Sequence, residues 1–329
     1  MKKAIVITTI NEPNKCIDKW ANKTEYNLVI VGDKKTPQNY SLPGSDVLQI
    51  NDQNEKYNKL SKLLPLNHYT RKNIGYIHAI NSLDAEVIFD TDDDNFPLDN
   101  WSDGLDLVYR ELKSKHKSAW VNIYEFFTKE YIWPRGFPVR LDKIISGEVT
   151  SKTKHDITIS QGLVQGDPDV DAIFRLYKHD KDFRFDNNEP LYLSSTRNTF
   201  SPTNSQNTTF KKESFPLLYL PSTVTFRYTD ILRGYVILAL CDRWEINVGF
   251  RSADVYQERN DHDLLIDLHS ELPMYNDSDS IILNLKSEIE KKSKTTLKDD
   301  VIEVYEILLE MNIVKEIELS ILKEWLKWV

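Results

Sequence analysis

The sequence predicts an α/β fold in which a mostly parallel sheet is flanked by helices. Short runs of β-branched residues alternate with helical patterns over about the first hundred residues, as is typical of strands joined by crossover helices. Polar loops follow three of these runs, and two of the loops contain Gly or Pro. Helical periodicity dominates late in the chain and predicts a helical extension there. With 329 residues, 40% of them hydrophobic, the chain is long enough for one large domain and an appendage.

The first part of the chain is expected to hold four strands, over residues 4–10, 28–31, 46–50 and 87–89. Ligands of open α/β sheets bind outside the carboxyl ends of parallel strands. The loops that leave three of these ends cover residues 9–13, 32–37 and 90–95. We therefore expect a nucleotide site there. Thr9 and Asn11 are candidates to line it, and Asp33 is a candidate to read the base or ribose.

An apolar strand leads directly into four carboxylates within residues 88–95: Asp90, Asp92, Asp93 and Asp94. Adjacent like charges repel, so this run lowers stability unless a cation lies among them. Oxygen ligands of this kind favour Mg²⁺ or Mn²⁺, ions that bind one or two carboxylates and complete their coordination with phosphate oxygens. Taken alone, the acids are also compatible with a Ca²⁺ site or a helix N-cap, although the spacing of an EF-hand is absent.

A helix is predicted over residues 71–80, and Arg71 and Lys72 stand in its first turn. Cations at that end oppose the helix dipole. An anion bound there would relieve the conflict, so both side chains are candidates to hold a diphosphate; two solvated surface charges are the alternative. Gly75 inside this helix destabilises it by about 1 kcal/mol relative to Ala, so a ligand or a neighbouring backbone is expected to approach closely.

The middle of the chain, from residue 119 to about residue 221, breaks into short strands and long polar connections rich in aromatic residues, as expected for an acceptor-binding half. Later helices are predicted over residues 228–244, 280–292, 299–311 and 314–328. We expect residues 1–262 to form the main domain and residues 263–329 a C-terminal helical extension. Residues 324–329 should pack in the core, with contact to a membrane or a second subunit as the alternative.

Three acids occupy alternate positions after two glycines in the segment 161–172: Asp167, Asp169 and Asp171. In an extended conformation these carboxylates share one face, where they can act together on a substrate. A single strand facing solvent would give the same spacing.

Several longer segments, taken in order, resemble the STELLO family of glycosyltransferase-like proteins, known from plant Golgi proteins. The most specific are NIGYIHAI followed by TDDDN, then IWPRGFP, QGLVQGDPDVDAIFRL, NSQNT, VTFRYTDILRGY and VYQERNDHDL, and the resemblance covers about residues 4–265. A weaker similarity runs to the reversibly glycosylated polypeptides, which include UDP-arabinopyranose mutases. Both resemblances imply a GT-A-like nucleotide-sugar fold. The plant members carry a transmembrane anchor ahead of this region. No such anchor is expected in this chain, so the Golgi residence of the plant members is not carried over to it.

The resemblance implies a metal-dependent glycosyltransferase. It would move a sugar from a nucleoside-diphosphate sugar, expected to be UDP-linked, to a glycan or another hydroxyl acceptor. The acidic triplet would serve as a DXD-like motif: Asp94 binds Mn²⁺ or Mg²⁺, Asp92 shares the metal or faces the ribose, and Asp93 contacts the sugar or holds the loop. His262 is a candidate for a further metal ligand. A nucleotide-sugar mutase and a non-catalytic partner protein are the alternatives.

An inverting transferase also needs a general base beside the acceptor hydroxyl. The carboxylates that stand in family-matching segments are Asp167, Asp169, Asp171 and Asp261, and Asp169 is preferred among them. Leaving-group charge would be stabilised with help from Arg71 or Lys72.

Charge, cysteine positions and the lengths of the apolar runs indicate which ligands and which compartment to expect for this protein. The net charge of −9 and the lack of a basic block argue against nucleic-acid binding. Cys16 and Cys241 form neither a CxxC motif nor a disulfide framework, so we expect two buried thiols in a reducing compartment. No cleavage site follows the apolar run at 4–10, and the run at 235–241 is far shorter than the roughly 20 residues that span a bilayer. A cytoplasmic protein is expected, with peripheral contact with the inner membrane left open.

Overall fold

The computed structural model describes residues 1–113, 119–139, 148–152, 156–178, 182–193, 199–258, 263–278 and 280–329. The strands of this part of the chain are β1 (Lys3–Thr9), β2 (Asn27–Gly32), β3 (Ser45–Leu48), β4 (Val87–Thr91), β5 (Asn95–Pro97), β6 (Arg110–Lys113), β7 (Ala119–Trp120), β8 (Glu148–Lys152), β9 (Ile159–Gly166), β10 (Leu191–Leu193), β11 (Thr199–Phe200), β12 (Asn207–Lys211) and β13 (Val248–Gln257).

The α-helices are α1 (Lys15–Ala21), α2 (Ile50–Lys56), α3 (Asn58–Leu63), α4 (Lys72–Ser82), α5 (Ala172–Tyr177), α6 (Thr229–Trp244), α7 (Leu264–Asp277), α8 (Ile281–Glu290), α9 (Leu297–Glu310) and α10 (Glu316–Trp325). Short 3-10 turns at Tyr69–Arg71 and Phe226–Tyr228 lead into α4 and α6. Among the described helices, none combines the length and the apolar character that crossing a lipid bilayer requires.

The described strands form one large sheet in the order β3-β2-β1-β4-β12-β9-β13-β10-β6-β8, with β5 paired to β13 and a small separate sheet of β7 and β11. The four N-terminal strands run parallel, which is the arrangement predicted from their β-branched runs and crossover helices. Beyond β4, both parallel and antiparallel pairs extend the sheet. The predicted α/β class is confirmed, and the architecture is consistent with a GT-A-like fold.

Helix α4 packs its Gly75 against the parallel part of the sheet. A Cβ atom at this position would lie 2.5 Å from Val6 Cγ1 and 2.6 Å from Val31 Cγ2, closer than non-bonded atoms tolerate. The predicted close approach at Gly75 is therefore correct, but the approaching groups are valine side chains of β1 and β2 and not a ligand or a backbone. The glycine sets the spacing between the helix and the strands that carry the site.

The late helices cover the segments predicted for them. Trp325 in α10 is fully buried and donates a hydrogen bond from Nε1 to Asn73 O at 3.0 Å. Trp328 packs edge-to-face on Tyr57, with ring centroids 5.2 Å apart. The expectation that residues 324–329 pack in the core is met, because both tryptophans contact the main domain. The division at residue 262 stays a prediction.

Two predictions about strands need correction. Asp90 was expected in the loop after β4, but β4 continues to Thr91, and Asp90 lies inside the strand with no solvent exposure. The acids at 167, 169 and 171 were expected on one face of an extended segment, but β9 ends at Gly166. Gly166 has a φ of +81°, and a Cβ there would lie 2.6 Å from Gln257 O. The chain turns at this glycine, so the three carboxylates point to different places.

Candidate functional site

A cavity of about 430 Å³ opens at the carboxyl ends of β1, β2 and β4, where the sequence predicted a site. Its walls come from both halves of the chain, since Phe226, Arg227 and Asp230 line it together with residues that follow the N-terminal strands. Among the lining residues are Thr9, Asn11, Asp33, His68, Tyr69, Arg71, Asp92, Asp93, Asp94, Arg135, Asp169, Ser205, Gln206, Phe226, Arg227, Asp230 and Gln257. The predicted ligands Thr9, Asn11 and Asp33 are therefore brought together with the acidic triplet.

Asp93 fastens the acidic loop to the first strand and the first helix. Its Oδ2 accepts hydrogen bonds from Thr9 Oγ1 and, at 3.0 Å, from Asn11 Nδ2. Its backbone carbonyl accepts a hydrogen bond of 3.0 Å from Asn14 Nδ2. Of the two predicted roles for Asp93, the contacts support holding the loop, and Thr9 and Asn11 take part in the same tie.

Asp92 forms an ion pair with the buried side chain of Lys72. Lys72 Nζ lies 2.9 Å from Asp92 Oδ1 and 2.7 Å from Asp90 Oδ1, and it donates a hydrogen bond of 2.6 Å to Thr91 O. The Lys72 side chain has no solvent exposure, so it does not face the cavity. The prediction that Lys72 holds a diphosphate needs correction, because the anions that offset its charge are Asp90 and Asp92 of the chain itself.

Arg71 forms hydrogen bonds with other groups of the protein. Its guanidinium donates hydrogen bonds of 2.9 Å to Gln53 Oε1, 2.9 Å to Ser61 O and 2.7 Å to Ser61 Oγ. Although Arg71 lines the cavity, these bonds tie α4 to α2 and α3. The donors of Arg71 thus have buried acceptors in the protein, and the role of Arg71 in binding a diphosphate stays a prediction.

Asp94 lies deep in the cavity wall and is only partly satisfied. Gln257 Nε2 donates a hydrogen bond of 3.0 Å to Asp94 Oδ2, whereas Oδ1 is buried without a hydrogen-bond partner in the described part of the chain. Burial, with Asp92 and Asp93 nearby, raises the pKa of Asp94 to about 7. Burial also raises the pKa of Asp92 to about 6, although Lys72 opposes the shift. A divalent cation would remove the strain of these crowded carboxylates.

The described residues alone do not complete a metal site. Among them, no group of three His, Cys, Asp or Glu side chains has the geometry to hold a metal ion. The predicted third ligand, His262, and the candidate base Asp261 lie outside the described residues. Asp92 and Asp94 line the same cavity, and a metal site formed by these two carboxylates stays a prediction.

Asp33 at the end of β2 holds the loop that carries His68. Its Oδ1 accepts from Asn67 N at 2.8 Å and from Lys34 N at 2.6 Å, and its Oδ2 accepts from His68 N at 2.9 Å. Burial lowers the pKa of His68, so this ring is neutral near neutral pH. Asp33 borders the cavity, but its carboxylate mainly shapes the wall; contact with a nucleoside stays a prediction.

The second group of acids separates into three different roles. Asp167 forms an ion pair with Arg175. Asp171 caps α5 by accepting a hydrogen bond from Phe174 N at 2.8 Å. Only Asp169 lines the cavity. Of the predicted bases that the structure describes, Asp169 is therefore the one placed to meet a substrate.

Arg135 organises the far wall of the cavity. It binds Asp169 through Nε and Nη2, and it binds Asp230 through Nη1 at 3.0 Å and Nη2 at 2.9 Å. Asn204 Nδ2 donates a further hydrogen bond of 2.9 Å to Asp169 Oδ2. Burial alone would raise the pKa of Asp169, but Arg135 holds it below its ordinary value.

Arg135 lies in the segment IWPRGFP, and Phe226 and Asp230 lie in VTFRYTDILRGY. Both segments resemble the family, but these three residues were not predicted to belong to the site. One signal was available: buried acids need a cationic partner, and Arg135 stands alone between two prolines in IWPRGFP. Phe226 gave no such signal, since its importance lies in its 56% exposure beside the cavity and its packing against Tyr69.

The fold and the site together define an α/β protein with an acidic ligand cavity at the carboxyl edge of its sheet. No family model matches the chain. Two curated proteins of Arabidopsis thaliana are similar to it: Probable glycosyltransferase STELLO1, 28% identical, and Probable glycosyltransferase STELLO2, 27% identical, each over 256 residues. The alignments cover 71% of this chain and 32% and 33% of the relatives, so the chain spans about a third of their length. The resemblance predicted from the sequence is confirmed: the chain is similar to two STELLO-type proteins.

Proposed function

We propose that the protein is a glycosyltransferase that takes its sugar from a nucleoside-diphosphate sugar with the help of Mn²⁺ or Mg²⁺. The observation that carries the proposal is the cavity itself, in which Asp92, Asp93 and Asp94 stand at the carboxyl end of β4. The printed names of the two relatives, both probable glycosyltransferases, support the same reaction class. A UDP-linked donor and a glycan or other hydroxyl acceptor remain the proposed substrates.

The need for a cation follows from the charges that face the cavity. Arg135 is paired with Asp169 and Asp230, and Arg227 donates to Glu271 Oε1 at 2.6 Å. A diphosphate entering beside Asp92 and Asp94 would add negative charge to a negative wall. A bound Mn²⁺ or Mg²⁺ would offset this charge and stabilise the negative charge that develops on the leaving diphosphate.

The chain's own residues would then position the two substrates. Asp94 and the free oxygen of Asp92 would hold the cation, while Asp93, bonded to Thr9, would keep the loop in place. Transfer breaks the bond between the donor's anomeric carbon and the diphosphate and forms a bond from that carbon to the acceptor oxygen, which gives up its proton. Asp169 would accept a hydrogen bond from the acceptor hydroxyl and take up its proton as the new bond forms, although its lowered pKa makes it a weak base.

Calorimetry tests this proposal. UDP, GDP and CDP are titrated into the protein with and without Mn²⁺, and we expect one of them to bind only when Mn²⁺ is present. Asp94→Asn should abolish that dependence. Asp84→Asn is the matched control, because it changes an exposed aspartate that pairs with Lys2 before β4. If none of the nucleotides binds in a metal-dependent way, the enzyme proposal is wrong.

Incubation with the donor alone separates the remaining alternatives. A mutase converts the ring form of the sugar on the nucleotide, whereas a transferase without acceptor hydrolyses the donor slowly at most. A non-catalytic partner protein does neither. Chromatography of the nucleotide sugar before and after incubation distinguishes these outcomes.

A further inference from the structure

Lys72 joins the interior of the protein to the acidic triplet. Four oxygens surround its ammonium group: those of Asp90 at 2.7 Å, Asp92 at 2.9 Å, the Thr91 carbonyl at 2.6 Å and the Tyr69 hydroxyl at 3.2 Å. In the described part of the chain, Lys72 is the cation that lies within ion-pair distance of Asp92. The contact uses Oδ1 of Asp92, and Asp92 still borders the cavity.

Lys72 shares one of its two carboxylate partners with a second buried cation. Asp90, which is fully buried, pairs with Lys72 on one oxygen and with Arg233 Nη2 at 2.9 Å on the other. Two cations thus share the Asp90 carboxylate, and Asp92 is the second carboxylate within ion-pair distance of Lys72. A buried charge without a partner is strongly destabilising, so Asp92 is drawn to Lys72 and held there.

The fold alone does not explain a lysine at this position. Lys72 is the first residue of α4, where a cation opposes the helix dipole. Asp90 would remain paired with Arg233 if an apolar side chain replaced the lysine. The ion pair with Asp92, in contrast, would be lost, because no other cation among the described residues lies within ion-pair distance of Asp92.

We propose that Lys72 is a positioning residue: it anchors one oxygen of Asp92 in the interior and thereby turns the other oxygen toward a cation and diphosphate in the cavity. This inference rests on the proposed function, because it assigns the support of that same site. Partners that orient a metal ligand typically change metal affinity by about 10-fold to 100-fold when they are removed.

The first test compares two variants of the same buried network. Lys72→Met removes the cation that contacts Asp92, and Arg233→Met removes the cation that contacts only Asp90 of the two. Affinity for UDP at saturating Mn²⁺ is measured by calorimetry well below the melting temperature of each variant. We expect Lys72→Met to bind about tenfold more weakly or worse, and Arg233→Met to stay within about threefold of the unsubstituted protein.

A second control covers poor folding of the Arg233 variant. Tyr76→Phe removes the hydroxyl that accepts a hydrogen bond of 3.2 Å from Arg233 Nη1 and leaves the charges in place. It perturbs the same network away from Asp92. Equal weakening by Lys72→Met and by either control overturns the inference, because the network as a whole and not Lys72 would then support the site.

The metal-free protein supplies an independent readout. Lys72→Met, Asp92→Asn and the double variant are compared by urea unfolding, and the two effects on the unfolding equilibrium constant should not multiply, since the residues share one ion pair. Effects that multiply contradict the positioning role. UDP binding by the unsubstituted protein together with unchanged binding by Lys72→Met overturns this inference alone. Absence of Mn²⁺-dependent binding of UDP, GDP and CDP by the unsubstituted protein overturns the proposed function and the inference with it.

Discussion

Arg135 grips Asp169 with two parallel hydrogen bonds, from Nε to Oδ1 at 2.7 Å and from Nη2 to Oδ2 at 3.0 Å. Both side chains are almost fully buried. Such a two-point contact fixes the direction of the carboxylate and favours its ionised form. The far wall of the cavity is therefore a rigid surface, and its charge is set by the protein.

Asp169→Asn should weaken the fold in a manner that depends on pH. The pKa of Asp169 is lowered in the folded protein, so its stabilising contribution is complete above the ordinary pKa of about 4 and is lost as the pH falls below it. We expect the variant to lose about 2 kcal/mol of unfolding free energy near neutral pH, and the difference should shrink in acid. Urea unfolding between about pH 7 and about pH 3 measures it. A difference that is constant with pH would contradict this assignment, and Asp156→Asn, at an exposed position, is the control.

Asp94→Asn should have the opposite effect on the metal-free protein. The folded protein holds the pKa of Asp94 at about 7, above its unfolded value, so ionisation destabilises the fold as the pH rises from acid through neutrality. We expect the asparagine variant to be more stable than the unsubstituted protein by about 1–3 kcal/mol above neutral pH, and by less in acid. Thermal unfolding in chelator tests this, with Asp84→Asn as the control. A less stable variant at high pH would count against strain at Asp94.

Phe226→Ala should separate binding from stability. The side chain is 56% exposed beside the cavity, so its loss should change the unfolding free energy by only about 0.5 kcal/mol. An exposed aromatic ring in a ligand cavity can stack on a planar or sugar ring, and we expect weaker binding of UDP with Mn²⁺. Pyrophosphate with Mn²⁺ lacks such a ring and should bind both proteins alike. Equal UDP affinity in the two proteins would show that the ring is not used by the nucleotide.

Gly75→Ala should destabilise the protein even though alanine favours helices. The added methyl group would meet valine side chains of β1 and β2 at about 2.5 Å. Overpacking of this kind costs about 1–3 kcal/mol, which exceeds the gain in helix propensity of about 1 kcal/mol. Urea unfolding measures the change. Ser82→Ala, at an exposed position of the same helix, should have little effect, and a stabilised Gly75→Ala would show that α4 can shift outward.

The strands β1, β2 and β4 were predictable because each is short, rich in β-branched residues and buried. Val29 to Val31, for example, form a continuous apolar run, which is what a parallel strand covered on both faces requires. Their carboxyl ends meet at one edge, so the position of the cavity followed from the strand pattern alone. The position of the acidic loop in the cavity was predictable because the loop directly follows β4 in the sequence.

The roles of Arg71, Lys72 and Asp169 were not predictable in the same way. Each depends on a partner that is distant in sequence, such as Gln53 for Arg71 or Arg135 for Asp169. A charge near a predicted loop can face solvent, a ligand or a buried counter-charge, and local sequence does not distinguish these cases. The middle of the chain was harder again, because its strand pairs join remote segments, as β9 and β13 do.

The hydrogen bond from Trp325 to the carbonyl of Asn73 has a consequence for the order of assembly. It links the last helix to the residue that follows Lys72, across 252 positions of sequence. During synthesis from the N-terminus, the strands that frame the cavity emerge long before the helix that braces α4. A nascent chain can thus form the strands β1 to β4 early and yet gain a fully supported site only when α10 has left the ribosome.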